Sequence, residues 1–224
     1  MADNDSAGRP GVLFDVDGTL LDTNYRHVLA WWAAFREGGY DDVTMAGIHR
    51  LIGLGSEELV QRLVGHDDED VVEGHGKRVD GFKEQVEAFP GASDLLRACR
   101  EAGWTVVLAT SGKSADLDWM LPDIGAGDPV SGATTSENVE ASKPAPDLLA
   151  TALRDHDLDP SRSVVVGDTV WDVESAERAG LPCIALTSGG ISRQELEGAG
   201  AVEVYDDAKA LLDELKGSRL GRPD

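Results

Sequence analysis

The stretch Val12-Leu13-Phe14-Asp15-Val16-Asp17-Gly18-Thr19-Leu20-Leu21-Asp22 constrains this chain more than any other. It opens as an apolar run of the kind that forms a buried strand. It then sets two carboxylates two residues apart, where a glycine and a threonine break the pattern. Side chains alternate along a strand, so Asp15 and Asp17 share a face if the strand continues, and a turn at Gly18 aims both at one point. Two anions that close repel unless a cation or a proton joins them. A strand followed by an Asx-type turn accounts for Asp17-Gly18 but leaves Asp15 unexplained.

The rest of the chain falls into two patterns. Residues 25–87 read as helical segments, 25–37, 45–52, 56–64 and 68–87, broken at Gly38-Gly39, from Gly53 to Gly55 and at Gly65. From Phe89-Pro90-Gly91 onward, short apolar runs alternate with helical patterns. Helices are expected at 92–102, from 113, and at 146–155, 171–179, 192–199 and 207–215; strands at 104–109, 163–166, 183–186 and 202–205; and a long loop carries Lys143-Pro144. Short buried strands alternating with helices predict an α/β fold, a Rossmann-like parallel sheet with helices on both faces. The helical block is a small domain inserted after the first strand, which divides the chain into a core of residues 1–22 and 88–224 and an all-helical domain of residues 23–87. Residues 1–10 and 217–224 are polar ends expected to fray.

In such sheets the ligand site lies beyond the carboxyl ends of the strands. Three further polar signals qualify. Thr110-Ser111-Gly112-Lys113 follows an apolar strand and offers hydroxyls and N–H groups to phosphate oxygens, or simply caps a helix. Gly167-Asp168-Thr169-Val170-Trp171-Asp172 sets two acids four apart, a like-charge pair on one side of a helix unless something positive lies between; capping by Asp168 is the plainer alternative. Lys143 precedes Pro144, whose ring favours an extended backbone at Lys143 and so directs its ammonium; alone it would be an ordinary surface charge.

Charge decides which partners fit. With 42 acidic residues against 20 Lys and Arg, the net charge of −22 excludes nucleic acid and anionic membrane as general partners. Any phosphate must therefore be held locally, by a metal ion, a few cations and backbone N–H groups. The acidity favours solubility and equally suits salt adaptation. The two cysteines, Cys99 and Cys183, have no zinc-type spacing, and no export signal or membrane span is visible, so a cytoplasmic location is expected.

Together these residues resemble the motifs of the haloacid dehalogenase-like superfamily. Asp15-x-Asp17-Gly-Thr-Leu is similar to its first motif, Thr110 after a strand to its second, Lys143 in Ser-Lys-Pro to its third, and Gly167-Asp168-x-x-x-Asp172 to its fourth. The inserted helices resemble the cap domain of its phosphoglycolate-phosphatase-like and β-phosphoglucomutase-like members. The resemblance implies a phosphatase of small-molecule phosphate monoesters. Asp15 would attack phosphorus to form an aspartyl-phosphate, and Asp17 would act as general acid and base. Mg2+ would be bound by Asp15, the Asp17 carbonyl and Asp168, with Asp172 in support. Thr110, Ser111, Gly112, Gly18 and Lys143 would hold phosphate oxygens. His27, Arg50 and Ser56 are candidates for substrate specificity. Oligomerisation beyond a monomer or weak dimer has no signal.

Two other readings stand beside this one. A sugar phosphomutase would use the same nucleophile and acid/base; mutases of that type tend to carry an acidic residue before the fourth-motif Asp, where this chain has Gly167. A catalytically idle binding module would have lost a motif, and none is lost. Phosphonate hydrolysis needs an imine-forming cap lysine, and Lys77 and Lys83 stand in no such setting. The substrate itself is not named by the sequence.

Overall fold

The structure, a computed structural model, describes residues 8–139 and 141–223. Strand β1 (Arg9–Phe14) leads into four helices, α1 (Asn24–Glu37), α2 (Met45–His49), α3 (Ser56–Val64) and α4 (Glu69–Asp80). There follow α5 (Ala92–Ala102), β2 (Thr105–Ala109), α6 (Leu117–Ile124), β3 (Gly132–Thr134), α7 (Asp147–Asp155) and β4 (Leu158–Gly167). The chain closes with α8 (Val170–Arg178), β5 (Cys183–Leu186), α9 (Arg193–Ala199), β6 (Glu203–Tyr205) and α10 (Ala208–Asp213).

Strand alternation sorts the apolar residues into two layers. Val12, Phe14, Val106, Leu108, Val164, Val166 and Ile184 pack with Leu95 and Leu96 of α5, Met120 of α6 and Leu211 of α10. Leu13, Val107, Val165 and Ala185 point the other way, onto Leu148 and Leu149 of α7, Val173 of α8 and Leu196 of α9. Each such buried side chain contributes roughly 1.5–3 kcal/mol relative to exposure. The run Val12–Phe14, fully buried on both faces, therefore fixes the backbone that delivers Asp15.

All six strands are parallel, in the order β3-β2-β1-β4-β5-β6. The order reverses between β1 and β4, and a crevice at the carboxyl ends of those two strands is where such sheets bind ligands. Helices α1 to α4 bury their own apolar centre, with Val28, Trp31, Phe35, Ile48, Leu59 and Val71, and Trp171 of α8 packs against it. The chain enters and leaves this helical segment side by side: Asp22 N–H donates to Glu87 O (3.0 Å) and Phe89 N–H to Leu20 O (2.9 Å).

Three features depart from expectation. Strand β3 lies inside the expected loop, because Gly132-Ala133-Thr134 is too short and too small to register as an apolar run. Helix α4 ends at Asp80, where Gly81 caps it, and a 3-10 turn at Lys83–Gln85 takes up part of the remainder. Residues 9–10 and 217–223 do not fray: Arg9 and Pro10 open β1, with Arg9 N–H donating to Asp157 O (2.8 Å), and Leu220 is fully buried and its carbonyl accepts the Trp104 indole N–H (2.9 Å). Residues 1–7 and 224, also expected to fray, lie outside the described residues.

Candidate active site

Asp15 follows β1 directly, and its N–H continues the ladder to Val166 O (2.9 Å). Asp168 follows β4, so the first and fourth signals meet at the switch point. Lys143, 2% exposed, reaches them from the coil after β3; its ammonium ion-pairs with Asp15 and lies 2.6 Å from Asp172 Oδ1. Its peptide bond to Pro144 is cis.

Asp168 and Asp172 do not form a like-charge helical pair. Thr169 is the N-cap of α8: Asp172 N–H donates to its hydroxyl (3.2 Å), while Asp172 Oδ2 accepts the Thr169 N–H (3.0 Å) and hydroxyl (2.6 Å). This capping box places Asp168 outside the helix. Asp168 is fully buried, and its oxygens accept from Thr19 Oγ1 and Asn24 Nδ2, each at 2.8 Å. Glycines wall the acids. A Cβ at Gly18 (φ +80°) or Gly189 would collide with Asp168, and one at Gly167 with Asp172.

The carboxylates Asp15, Asp168 and Asp172 offer oxygens within 4.8 Å of one another. Burial, opposed by Lys143 and reinforced by Asp172 and Asp17, pushes Asp15 up to about 7. Burial, then Asp172 and Asp15, drives Asp168 well above the carboxylate range, and the two acids, against burial, raise Lys143. One ammonium for three carboxylates leaves the cluster short of positive charge. An all-oxygen, anionic donor set of this kind suits a hard divalent cation.

Asp17 belongs to a different network. Its Oδ1 accepts the Thr23 hydroxyl (2.6 Å) and lies 3.3 Å from His27 Nε2, while His27 Nδ1 lies 3.1 Å from His75 Nε2. Burial works to raise Asp17; the hydrogen bond and charge of His27, and then Thr23, outweigh it and hold the acid below its usual range. His75 stacks on Trp31 at 3.8 Å and 3°. Burial first, then His27, keeps it well below the histidine range and so uncharged.

Of the other predicted site residues, Thr110 is buried and its hydroxyl accepts the Gly112 N–H (3.0 Å), which ties up that donor. Ser111 donates to Gly53 O (3.2 Å) of the helical segment, and Ser188 donates to the Gly18 carbonyl (2.6 Å). Arg50 is exposed and paired with Glu195 of α9, and Ser56 is exposed at the start of α3. Beside Arg50, His49 Nε2 donates to Gly189 O (2.9 Å). Lys77 and Lys83 are paired with Glu73 and Asp80.

Thr19, Thr23, Asn24 and His75 were missed. A signal existed for His75: with Val71 and Val79, both buried, it lies on one stripe of α4, a polar residue where an apolar one belongs. Thr19 and Thr23 are short polar residues beside the acids Asp17 and Asp22, where a turn or a helix cap is the ordinary reading. Asn24 carries no signal, because its partner is 144 residues away.

Residues 12–186 match the family model of the haloacid dehalogenase-like hydrolases. The chain is 28% identical over 211 residues to the phosphoglycolate phosphatase of Pseudomonas putida, covering 90% of this chain and 78% of that protein. It is 30% identical over 236 residues to protein CbbY of Cereibacter sphaeroides, covering 95% and 97% of the two chains. The crystal structure of a hydrolase from Pseudomonas syringae superposes with a TM-score of 0.87 at 31% identity, covering 93% and 99%.

Proposed function

This chain belongs to the haloacid dehalogenase-like hydrolase family and is a phosphatase, and from that premise we propose that it hydrolyses small-molecule phosphate monoesters through a phosphoryl group carried on Asp15. The observation that carries this reading is the separation of the two acids of the first motif. Asp15 joins Lys143, Asp168 and Asp172, whereas Asp17 is held apart by Thr23 and His27.

In the first step an Asp15 oxygen attacks phosphorus, the ester P–O bond breaks, and Asp17 gives its proton to the departing alcohol oxygen. Lys143 steadies Asp15 and the transferring oxygens. In the second step Asp17 takes a proton from water as that water attacks phosphorus, and the bond to Asp15 breaks to release phosphate. Both hydrogen bonds to Asp17 fall on Oδ1, and Oδ2 has no partner among the described residues, which leaves it for the substrate.

The directions of the two acids run opposite to these roles: Asp15 is held up, toward its proton, and Asp17 is held down. Each is corrected by a charge that binding brings. Mg2+, held by Asp15, the Asp17 carbonyl, Asp168 and Asp172, would keep Asp15 ionised and neutralise the phosphate under attack. The negative phosphate beside Asp17 raises that acid toward its proton-carrying form.

Residues 23–87 are proposed as the cap, closing on the core through the contacts of Ser111 with Gly53, His49 with Gly189, and Trp171 Nε1 with Arg50 O (3.1 Å). The test is phosphate release from a panel of phosphoglycolate, glycerol phosphate, hexose phosphates and nucleotides, with and without a hexose bisphosphate primer. Mg2+-dependent release from a small ester is expected. Isomerisation of a hexose phosphate without release would replace hydrolysis by the mutase reaction.

A further inference from the structure

At the opposite end of the sheet, by the residues before β2 and β5 and the first half of β4, lies a cavity of about 660 Å3. It is lined by Arg162, Lys216, Arg219 and Arg222, with Trp104 and Ser218 among its walls and, among the described residues, no carboxylate. In a chain whose acids outnumber its cations 42 to 20, this is a local reversal of sign. Two acids bonded to its neighbours are already engaged. Asp159, which Arg162 also faces, accepts the Ser161 N–H (2.9 Å) and hydroxyl (2.7 Å). Glu203 accepts the Arg219 backbone N–H (3.1 Å) and the Tyr205 hydroxyl (3.0 Å). Among the described residues the side chains of Lys216, Arg219 and Arg222 form no ion pair.

The cations stand on a pinned segment. Leu220 is fully buried between Arg219 and Arg222, its carbonyl accepts the Trp104 indole N–H, and its own N–H donates to Ser218 Oγ (3.1 Å). A ligand would therefore order the exposed side chains but not the backbone that carries them. The volume falls in the range of small-molecule pockets, and guanidinium groups match phosphate oxygens in pairs. A single phosphate, carrying about −1.5 to −2, would leave roughly a third to a half of the charge of Lys216, Arg219 and Arg222 unmatched. A long polyanion would run out of the cavity onto an acidic surface, and within a Debye length of about 8 Å the cavity's own field governs.

We propose that this cavity binds a small molecule carrying two or more phosphate groups. The site is distinct from the catalytic one, since Ser163 and Asp168 stand five residues apart along an extended strand, roughly 16 Å.

The test is calorimetric titration of the full-length protein with inorganic tripolyphosphate and, separately, orthophosphate. EDTA is present so that no cation occupies the carboxylate cluster. Saturable one-site binding of tripolyphosphate with Kd below ~100 μM is expected, with orthophosphate weaker by about tenfold or more. The double variant Arg219→Gln/Arg222→Gln should lose about tenfold or more in tripolyphosphate affinity while its ester turnover, measured without tripolyphosphate, is unchanged. Equal affinity in the two proteins, no saturation, or equal binding of orthophosphate would each overturn the proposal.

Discussion

The carboxylate cluster at the strand ends and the imidazole pair of the helical segment, joined in one site by the proposed mechanism, are built differently. Asp15, Lys143, Asp168 and Asp172 are all nearly inaccessible and are fixed by the sheet: two of them extend strands, and one locks a helix start. His27 and His75 come from α1 and α4 and are half-buried, His75 stacked on Trp31 and His27 set edge-on to Phe82. The first region carries more negative charge than it balances. The second is a polar chain, Asp17–His27–His75, that ends on an uncharged imidazole against an aromatic wall. On the proposed mechanism the sheet supplies the attacking and cation-holding groups, and the helical segment supplies the partners of Asp17.

Four measurements sharpen or break this division. Asp15→Asn should lower turnover by roughly 10⁴-fold or more with the fold intact by circular dichroism; residual activity within tenfold would remove Asp15 from the attack. Next in size, Asp17→Asn should lower turnover of alkyl phosphates by about 10²–10⁴-fold. The loss should be far smaller for 4-nitrophenyl phosphate, whose leaving group needs no proton, and equal losses for both esters would contradict the acid role.

His75→Phe keeps a ring on Trp31 and removes the nitrogen facing His27. It should lower kcat roughly tenfold and displace the pH profile, with KM and melting temperature nearly unchanged. A lower melting temperature with unaltered kcat and profile would make His75 a packing residue.

The smallest effect is thermal. Because the folded pKa of Asp15, about 7, exceeds its ordinary 3.8, the folded protein binds a proton that the unfolded chain has released. Its contribution to stability is therefore present at low pH and falls as pH rises toward and through 7. Without metal, the melting temperature should reflect this loss between pH 6 and pH 8. Saturating Mg2+ should restore roughly 5–10 °C at pH 8 and less at pH 6. An Mg2+ effect larger at pH 6 would argue that the cluster does not hold the cation.

The division also explains what could be read in advance. Acids at strand ends announce themselves, because an apolar run that stops in Asp-x-Asp or Gly-Asp has few structural excuses. The parallel sheet and the inserted helices followed from alternation alone. Strand order did not, since β3 leaves almost no apolar trace and only pairing reveals that β1 and β4 adjoin. Asn24 and His75 were hidden because their roles lie in tertiary neighbours rather than in local pattern. The α8 capping box was written in Thr169 and Asp172, yet the charge on Asp172 drew attention away from its hydrogen bonds.

The glycines around the acids carry a meaning that charge does not. Gly18, Gly167 and Gly189 come from three separate segments, and each stands where the smallest added side chain would meet a carboxylate. Only Gly18 of the three has a backbone that disfavours other residues; the other two are glycine for want of room. Close packing of backbone against Asp168 and Asp172 thus restricts what these three positions can carry as much as the charges of the acids do.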